Sequence, residues 1–485
     1  MKEQISLIPY PYSLEQKEGQ FTSSSSNFET LLQNVEFSAL STFDDFSLVD
    51  NEAYVLEIKK DKINIYTSKL SNEGSFYATQ TLKQLYLTYK NSLPCLIIKD
   101  KPEYKWRGMM LDTCRSFYSV DFIKKLLDAL AFHKFNRFHW HLTDDQGWRL
   151  PVPEYPLLTE VGSVRKAHTC PESIEGFHDT PDLEKKYYSD EEIKEIVAYA
   201  KERYIEIVPE IELPGHVSAL LAAYPEFGCT GGPYNVENRW GIFPDVLCLG
   251  NDDIFKIYDA IFATVERLFP GKYIHIGGDE CLSTRWQKCP KCLQRMKEQN
   301  LSNPSQLQSW ATQKMVKLAI SHGKIPIGWD EVLDNTDKIP LPSEVIVQSW
   351  RGFEGGERAV NLNHHVIMSP QTHTYLNLKN IASYEEPGRL GVTTVEKAYS
   401  YSPFTNNMKH SHKAFILGGE CNLWTEALPH SKVAEYLIFP RLCAISECLW
   451  LSEENKDFSR FEQNLTLHKK RLHDTGYQYY DGGLK

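Results

Sequence analysis

Tyr273-Ile274-His275-Ile276-Gly277-Gly278-Asp279-Glu280 reads as a buried strand that breaks at two glycines and delivers two adjacent carboxylates. Neighbouring residues on a flat strand point to opposite faces. Asp279 and Glu280 can therefore share a pocket only if the chain bends there, and Gly277-Gly278 permits the bend. Two carboxylates that close do not both ionise cheaply. One stays protonated near neutral pH, which suits a general acid beside a charged partner. Taken alone, the same residues also fit a helix start, with Asp279 as its cap and Glu280 in its first turn. The rest of the chain decides between the two.

Working outward, the region from about residue 104 alternates strands with helices. Eight segments read as strands: Arg107–Arg115, Phe135–Asp145, Ile205–His216, Tyr273–Glu280, Lys324–Glu331, Glu344–Gly352, His365–Asn377 and Phe415–Glu426. Helical spacing fills gaps between them, as in Asp121–His133, Asp190–Tyr204 and Asp252–Leu268. Eight strand–helix units predict an α/β fold, a (β/α)8 TIM barrel. Each candidate strand turns from apolar to polar or aromatic at its C-terminal end. Those ends supply Asp112, Arg115, Asp144, Asp145, Glu212, His216, Asp279, Glu280, Trp329, Trp350, Tyr375, Asn377, Trp424 and Glu426. A barrel gathers its active site at that end, whereas a doubly wound sheet would not collect chemistry from all eight strands. Val433–Trp450 reads as the helix completing the barrel and Phe458–Leu472 as a last surface helix. Upstream, Tyr54–Ile58 and Ile63–Tyr66 read as strands, Phe76–Leu85 as a helix and Leu96–Ile98 as another strand. Residues 1–103 are thus expected to form a small α+β domain without chemistry of its own, and residues 104–485 the barrel with a C-terminal helix.

A chain of 485 residues exceeds one ordinary core and fits this division. The formal charge of −11 argues against a nucleic-acid or anionic-membrane partner. No apolar run is long enough to span a bilayer. Met1-Lys2-Glu3-Gln4-Ile5 has neither a basic nor an apolar leader region. The expected location is cytoplasmic, or periplasmic or secreted where a leader has been removed. Eleven cysteines cannot all pair with one another. Cys281, Cys289 and Cys292 lie closest together, but no obvious fourth ligand follows at zinc-site spacing. The expectation is therefore no metal and no cofactor, with a local disulfide or free buried thiols instead.

Four motifs in order carry a family resemblance. They are Arg107-Gly-Met-Met-Leu-Asp-Thr-Cys-Arg115, His139-Trp-His-Leu-Thr-Asp-Asp-Gln-Gly-Trp-Arg149, Pro209-Glu-Ile-Glu-Leu-Pro-Gly-His216 and His275-Ile-Gly-Gly-Asp-Glu280. With Trp329, Trp350, the Tyr375 segment and Gly418-Gly-Glu-Cys-Asn-Leu-Trp-Thr-Glu426, the chain resembles glycoside hydrolase family 20, the β-N-acetylhexosaminidases. The N-terminal unit resembles the small domain that precedes the barrel in that family. The resemblance implies an exo-acting enzyme that releases terminal β-linked GlcNAc or GalNAc from an oligosaccharide or glycoconjugate. It implies retention of configuration, with the substrate's own acetamide oxygen attacking C1 to give an oxazolinium intermediate. Glu280 would then be the acid–base, protonated while Asp279 is ionised. Asp279 would accept from the acetamide N–H. Tyr375 would donate to the acetamide oxygen, and Trp329, Trp350 and Trp424 would wall the pocket. Arg115 and Glu426 would bind hydroxyls, and Asp144 and His216 would pair behind Glu280.

Two positions depart from the family pattern. Glu212 stands where Asp is usual, which keeps a carboxylate near His216. Asn377 stands where many members carry Asp, near O4 and O6 of the sugar. An Asp there would repel an anionic 6-substituent. Asn377 removes that repulsion, and Lys379 would add positive charge if its side chain turned inward, so 6-sulfated GlcNAc is an expected further substrate. Equally, Asn377 would bind a neutral 6-hydroxyl about as well as Asp. His139 and His141 have metal-ligand spacing but are expected as satisfied core histidines. Asp145 is read as a rim acceptor outside the catalytic set. The competing readings are a carbohydrate-binding protein on an inactive barrel, which would have lost Asp279 or Glu280, and a metal-dependent hydrolase using His139, His141 and His216.

Overall fold

The computed structural model describes residues 5–68, 72–167, 182–183, 185–426 and 428–484. Residues 1–4, where the leader reading begins, and Cys170 lie outside the described residues.

In the N-terminal unit, β1 (Ser13–Thr22), β2 (Val35–Ala39), β3 (Tyr54–Ile58), β4 (Ile63–Thr67) and β5 (Ser92–Asp100) form one sheet, ordered β1-β5-β3-β4-β2. Helix α1 (Glu73–Tyr89) packs Tyr77, Ala78, Leu82 and Leu85 against its apolar face. The strands that the sequence reading passed over, β1 and β2, are the two edges. Edge strands carry charge on exposed positions, as Glu15, Lys17 and Glu36 do here, and so lack a clear apolar signal.

The barrel strands are β6 (Trp106–Asp112), β7 (Arg137–His141), β8 (Glu206–Glu210), β9 (Tyr273–His275), β10 (Ile325–Trp329), β11 (Ile346–Ser349), β12 (Val366–Met368) and β13 (Ile416–Leu423). They pair in parallel, each with its sequence neighbours, and β13 closes on β6. All eight expected strands are present, but the ladders stop before most of the polar residues. The site side chains ride on the loops just beyond. The longest expected strand is split: after Met368 the chain makes a helical turn, Gln371–Thr374, before Tyr375 rejoins the sheet by a bridge to Asn422. The expected helix Val433–Trp450 is two helices, Ser431–Ile438 and Arg441–Trp450, parted at Phe439-Pro440. Pro440 has no N–H to continue the first of them.

The two units share a polar joint. Buried Lys134 donates to Asp100 at 2.7 Å, and Trp450 Nε1 donates to the other Asp100 oxygen at 2.7 Å. The barrel's own centre is also polar. His139 lies 2.7 Å from Glu420 and 3.0 Å from Glu210. His141 binds Glu210 and, at 2.7 Å, Asp144. Glu210 also meets His275 at 2.9 Å and Trp329 Nε1 at 2.8 Å. Burial disfavours charge on these imidazoles, but the carboxylates prevail and push His139 up to about 9 and His141 up to about 10. Both are core histidines set among carboxylates, with His139 Nε2 near Glu210 but without a hydrogen bond among the described residues, and their network fixes Asp144 and Trp329 beneath the C-terminal rim.

Candidate active site

The bend at Gly277-Gly278 is enforced by packing. Gly277 has φ 58° and Gly278 φ 105°. A Cβ at Gly277 would lie 1.9 Å from Glu212 Oε2, so any larger residue would have to displace the buried Glu212 carboxyl. The next turn puts Glu280 itself in the left-handed region, φ 49°, and across from it His216 has φ 51°. That conformation costs roughly 1–2 kcal/mol per non-glycine residue. Such strain is characteristic of sites where side-chain direction matters more than local stability.

The two strained residues face each other. His216 Nε2 lies 3.7 Å from Asp279 Oδ2 and 3.6 Å from Glu280 Oε2. Its Nδ1 is held by Asp145 at 2.9 Å. Burial opposes charge on His216, but Asp144, Asp145 and Glu280 outweigh it and keep it an imidazolium. Asp145 also accepts from Ser218 N at 2.9 Å and Ser218 Oγ at 2.6 Å. Asp145 thus makes the shorter contact to His216, and Asp144 pairs with it as well, as expected, its nearer oxygen 3.4 Å away. Asp144 also anchors Arg115 at 2.8 Å and His141 at 2.7 Å.

Arg115, His216, Asp279, Glu280, Trp350, Tyr375, Arg389, Trp424 and Glu426 line one cleft at the C-terminal end of the barrel. Its apolar wall is a cluster of Met110, Trp329, Tyr375 and Trp424 with Trp350 packed against it. Trp350 stacks parallel to Tyr375, centroids 6.4 Å apart, and its Nε1 donates to Glu331 at 2.9 Å. Trp329 stands behind Trp424, centroids 6.0 Å apart. The Arg115 guanidinium lies 5.2 Å over the Trp424 ring. Burial raises the Tyr375 phenol well above its usual range, which leaves it a hydrogen-bond donor.

Arg389 has no counterpart in the sequence reading. It sits in Glu385-Glu386-Pro387-Gly388-Arg389, a loop composition with nothing to distinguish it. Gly388 (φ 121°) lets this loop press onto the Asn377–Lys379 segment, where a Cβ would lie 3.0 Å from both Asn377 O and Lys379 N. The Arg389 N–H then donates to Asn377 O at 2.6 Å, and its side chain enters the cleft. Lys379 does not turn inward: its ammonium donates to Ser383 O at 2.8 Å. Asn377 is buried behind the lining residues, and neither of its amide atoms has a hydrogen-bond partner among the described residues.

The free site shifts the two carboxyls in the direction opposite to the protonation expected of the working enzyme. Burial, reinforced by the Glu280 charge, pushes Asp279 up to about 7 despite His216. Burial also acts on Glu280, but His216, Arg115 and Arg389 outweigh it and lower that group. In the free site these directions favour the pair's shared proton on Asp279 over Glu280. Asp279 Oδ1 is buried with no donor among the described residues. Glu212 is raised well above the carboxylate range by burial first, with Asp279, once ionised, and Glu210 adding to it. Its role is packing under Gly277. Glu426 is raised by burial against the opposing pull of Arg115 and Arg389.

Comparison with known proteins agrees with this geometry. The family model described as "Glycosyl hydrolase family 20, catalytic domain" matches residues 104–453, and that for "Glycosyl hydrolase family 20, domain 2" matches residues 29–101. A β-hexosaminidase of Porphyromonas gingivalis is 39% identical over 440 residues, covering 88% of this chain and 54% of that protein. The chain thus spans about half the length of that relative. A β-hexosaminidase of Akkermansia muciniphila is 32% identical over 474 residues, covering 96% of this chain and 90% of the other. Among solved structures, a GH20 exo-β-N-acetylglucosaminidase from Vibrio harveyi in complex with N-acetylglucosamine superposes with a TM-score of 0.86 at 27% identity, covering 99% of this chain and 80% of that one. Barrel, carboxylate pair and aromatic cleft, together with a family match over most of the chain, establish that the protein belongs to glycoside hydrolase family 20, the family of the β-hexosaminidases.

Proposed function

We propose that the protein is an exo-β-N-acetylhexosaminidase that works by substrate-assisted, retaining hydrolysis. The observation that carries this is the Asp279–Glu280 pair, set side by side under His216 and facing an aromatic-walled cleft. A terminal N-acetylhexosamine would lay its acetamide methyl against Trp350, Tyr375 and Trp424. The free Asp279 Oδ1 is a ready acceptor for the acetamide N–H. That bond, and the positive charge developing on the acetamide, favour the ionised form of Asp279. The leaving sugar covers Glu280 from water and favours its neutral form. Substrate thus draws the shared proton from Asp279 to Glu280, giving the productive arrangement. The acetamide oxygen then bonds to C1 while the glycosidic C1–O bond breaks and takes the Glu280 proton. Water next attacks C1 and gives its proton back to Glu280 as the oxazolinium opens.

The test is an aryl β-glycoside pair. The GlcNAc glycoside should turn over while the glucoside, lacking the acetamide, stays almost inert; comparable rates on the two refute the mechanism. Binding of chitobiose without turnover would favour the inactive-barrel alternative.

The same reading extends to 6-sulfated GlcNAc. Asn377, buried behind the cleft wall, adds no negative charge near it, and Arg389 offers the cation that Lys379 does not. The 6-sulfated aryl glycoside should be cleaved at a rate comparable to the plain one. Asn377→Asp and Arg389→Met should each depress the sulfated activity selectively. Equal losses on both substrates, or no sulfated turnover in the wild type, contradict the extension.

A further inference from the structure

Four cysteines that are scattered in the sequence converge at one point. Cys248 Sγ lies 3.6 Å from Cys289 Sγ and 3.7 Å from Cys292 Sγ, and Cys229 Sγ lies 3.8 Å from Cys292 Sγ. All four sulfurs fall within 4.8 Å of one another, and Cys248, Cys289 and Cys292 are buried. The fourth ligand that sequence spacing did not reveal comes, with a third, from a different loop. Cys281, the third member of the sequence cluster, is not part of it.

We infer that Cys229, Cys248, Cys289 and Cys292 form a structural zinc site that ties together the two loops carrying His216 and Glu280. The spacing is the first argument. Zinc–thiolate bonds of about 2.3 Å in a tetrahedron put the sulfurs about 3.8 Å apart along each edge. Two disulfides would instead draw the sulfurs into separate pairs about 2.0 Å apart. Here Cys248 is nearly equidistant from two partners, at 3.6 Å and 3.7 Å, and Cys292 likewise, at 3.7 Å and 3.8 Å, so the group is a cluster rather than two pairs.

Local architecture is the second argument. Cys289 precedes α2 (Pro290–Glu298) as its N-cap and Cys292 lies in its first turn, so the positive end of the helix faces two of the sulfurs. Lys288 and Lys291 flank these cysteines in sequence and oppose the net negative charge of a zinc–tetrathiolate. Gly250 lets the other loop approach: a Cβ there would lie 2.2 Å from Lys291 C and 2.5 Å from Cys292 N.

The two loops are already stitched around the cluster. Trp286 Nε1 donates to Leu247 O at 2.8 Å, and Arg285 holds Asp245 at 2.8 Å and 3.1 Å. Leu247 N in turn donates to Pro214 O at 3.0 Å, two residues before His216. Four thiols give up their protons to solvent as the ion binds, and no oxidant or reductant is needed. A closed four-thiolate shell leaves no position for substrate, so the site is structural and stands apart from the hydrolytic chemistry.

The test begins with full-length protein purified without metal-affinity steps. Elemental analysis should find about one zinc per chain that survives brief chelation, and X-ray absorption should give a pure sulfur shell at about 2.3 Å. A mercurial thiol reagent should release that zinc to a colorimetric indicator. The Cys289→Ser/Cys292→Ser variant should lose the zinc and melt at lower temperature, while aryl-GlcNAc turnover by the folded fraction persists. If that variant does not fold, the wild-type absorption spectrum still decides. Zinc below about 0.1 per chain would overturn the proposal, whether the four thiols titrate freely or the mass reveals disulfides. So would iron in place of zinc, or zinc with nitrogen or oxygen neighbours.

Discussion

Replacing His216 with Gln removes the cation that lies between the two catalytic carboxylates, 3.7 Å from Asp279 and 3.6 Å from Glu280. At that separation and an effective dielectric of about 20, a unit charge is worth about 4–5 kcal/mol to each carboxylate, an upper bound of about 3 pKa units. Glu280 is 34% exposed on its side chain, so solvent screens part of this, and a shift of about 1–2 units is expected. The sign follows from the charge. The imidazolium favours ionised carboxylates, so its loss raises both. In the wild type, kcat/KM falls on the alkaline side as the pair loses its shared proton near 7. It falls on the acid side as Glu280, lowered from its ordinary value, takes a second proton. The wild-type optimum therefore lies on the acid side of neutrality, and His216→Gln moves both limbs upward. The assay is kcat/KM on an aryl GlcNAc from about pH 4 to about pH 10, which reports free-enzyme ionisations. Unmoved limbs, or a shift to lower pH, would refute the placement of charge in this site.

Asp279→Asn and Glu280→Gln should each lower kcat on an unactivated chitobioside by roughly 10²–10⁴, the range for acid–base and charge-stabilising groups. A loss under about tenfold at either position would mean that the roles are misassigned. Asp279→Asn should also bring the alkaline limb from near 7 down toward Glu280's lowered value, because Glu280 is then the only carboxyl of the pair left to hold a proton. Glu212→Gln should leave kcat/KM within about threefold and the limbs in place, since its carboxyl is already neutral. An alkaline limb that falls by a unit or more would show that Glu212 carries charge beside Asp279.

The barrel was legible because buried parallel strands are apolar runs, and each run here changes character where it meets the C-terminal rim. The same change exposed Asp279, Glu280, Tyr375 and the tryptophans. Contacts made by chain returning from elsewhere were not legible. Arg389 reaches the cleft only because Gly388 lets its loop lie against Asn377. Asp144 and Asp145 are adjacent in sequence, and only the turn after β7 decides which lies closer to His216. The protonation of the pair depends on three cations drawn from different loops, so the composition of Gly-Gly-Asp-Glu could not assign it. Cys229 and Cys248 carry no spacing signal with Cys289, since a whole helix and strand of the barrel intervene.

The most direct test of the central claim is the electronic demand of the acetamide. A series of aryl β-glycosides bearing N-acetyl, N-fluoroacetyl, N-difluoroacetyl and N-trifluoroacetyl groups weakens the carbonyl oxygen stepwise while the leaving group stays the same. If that oxygen attacks C1, kcat/KM must fall steeply with each fluorine. A flat series would mean that an enzyme group or water attacks instead, and would contradict the account.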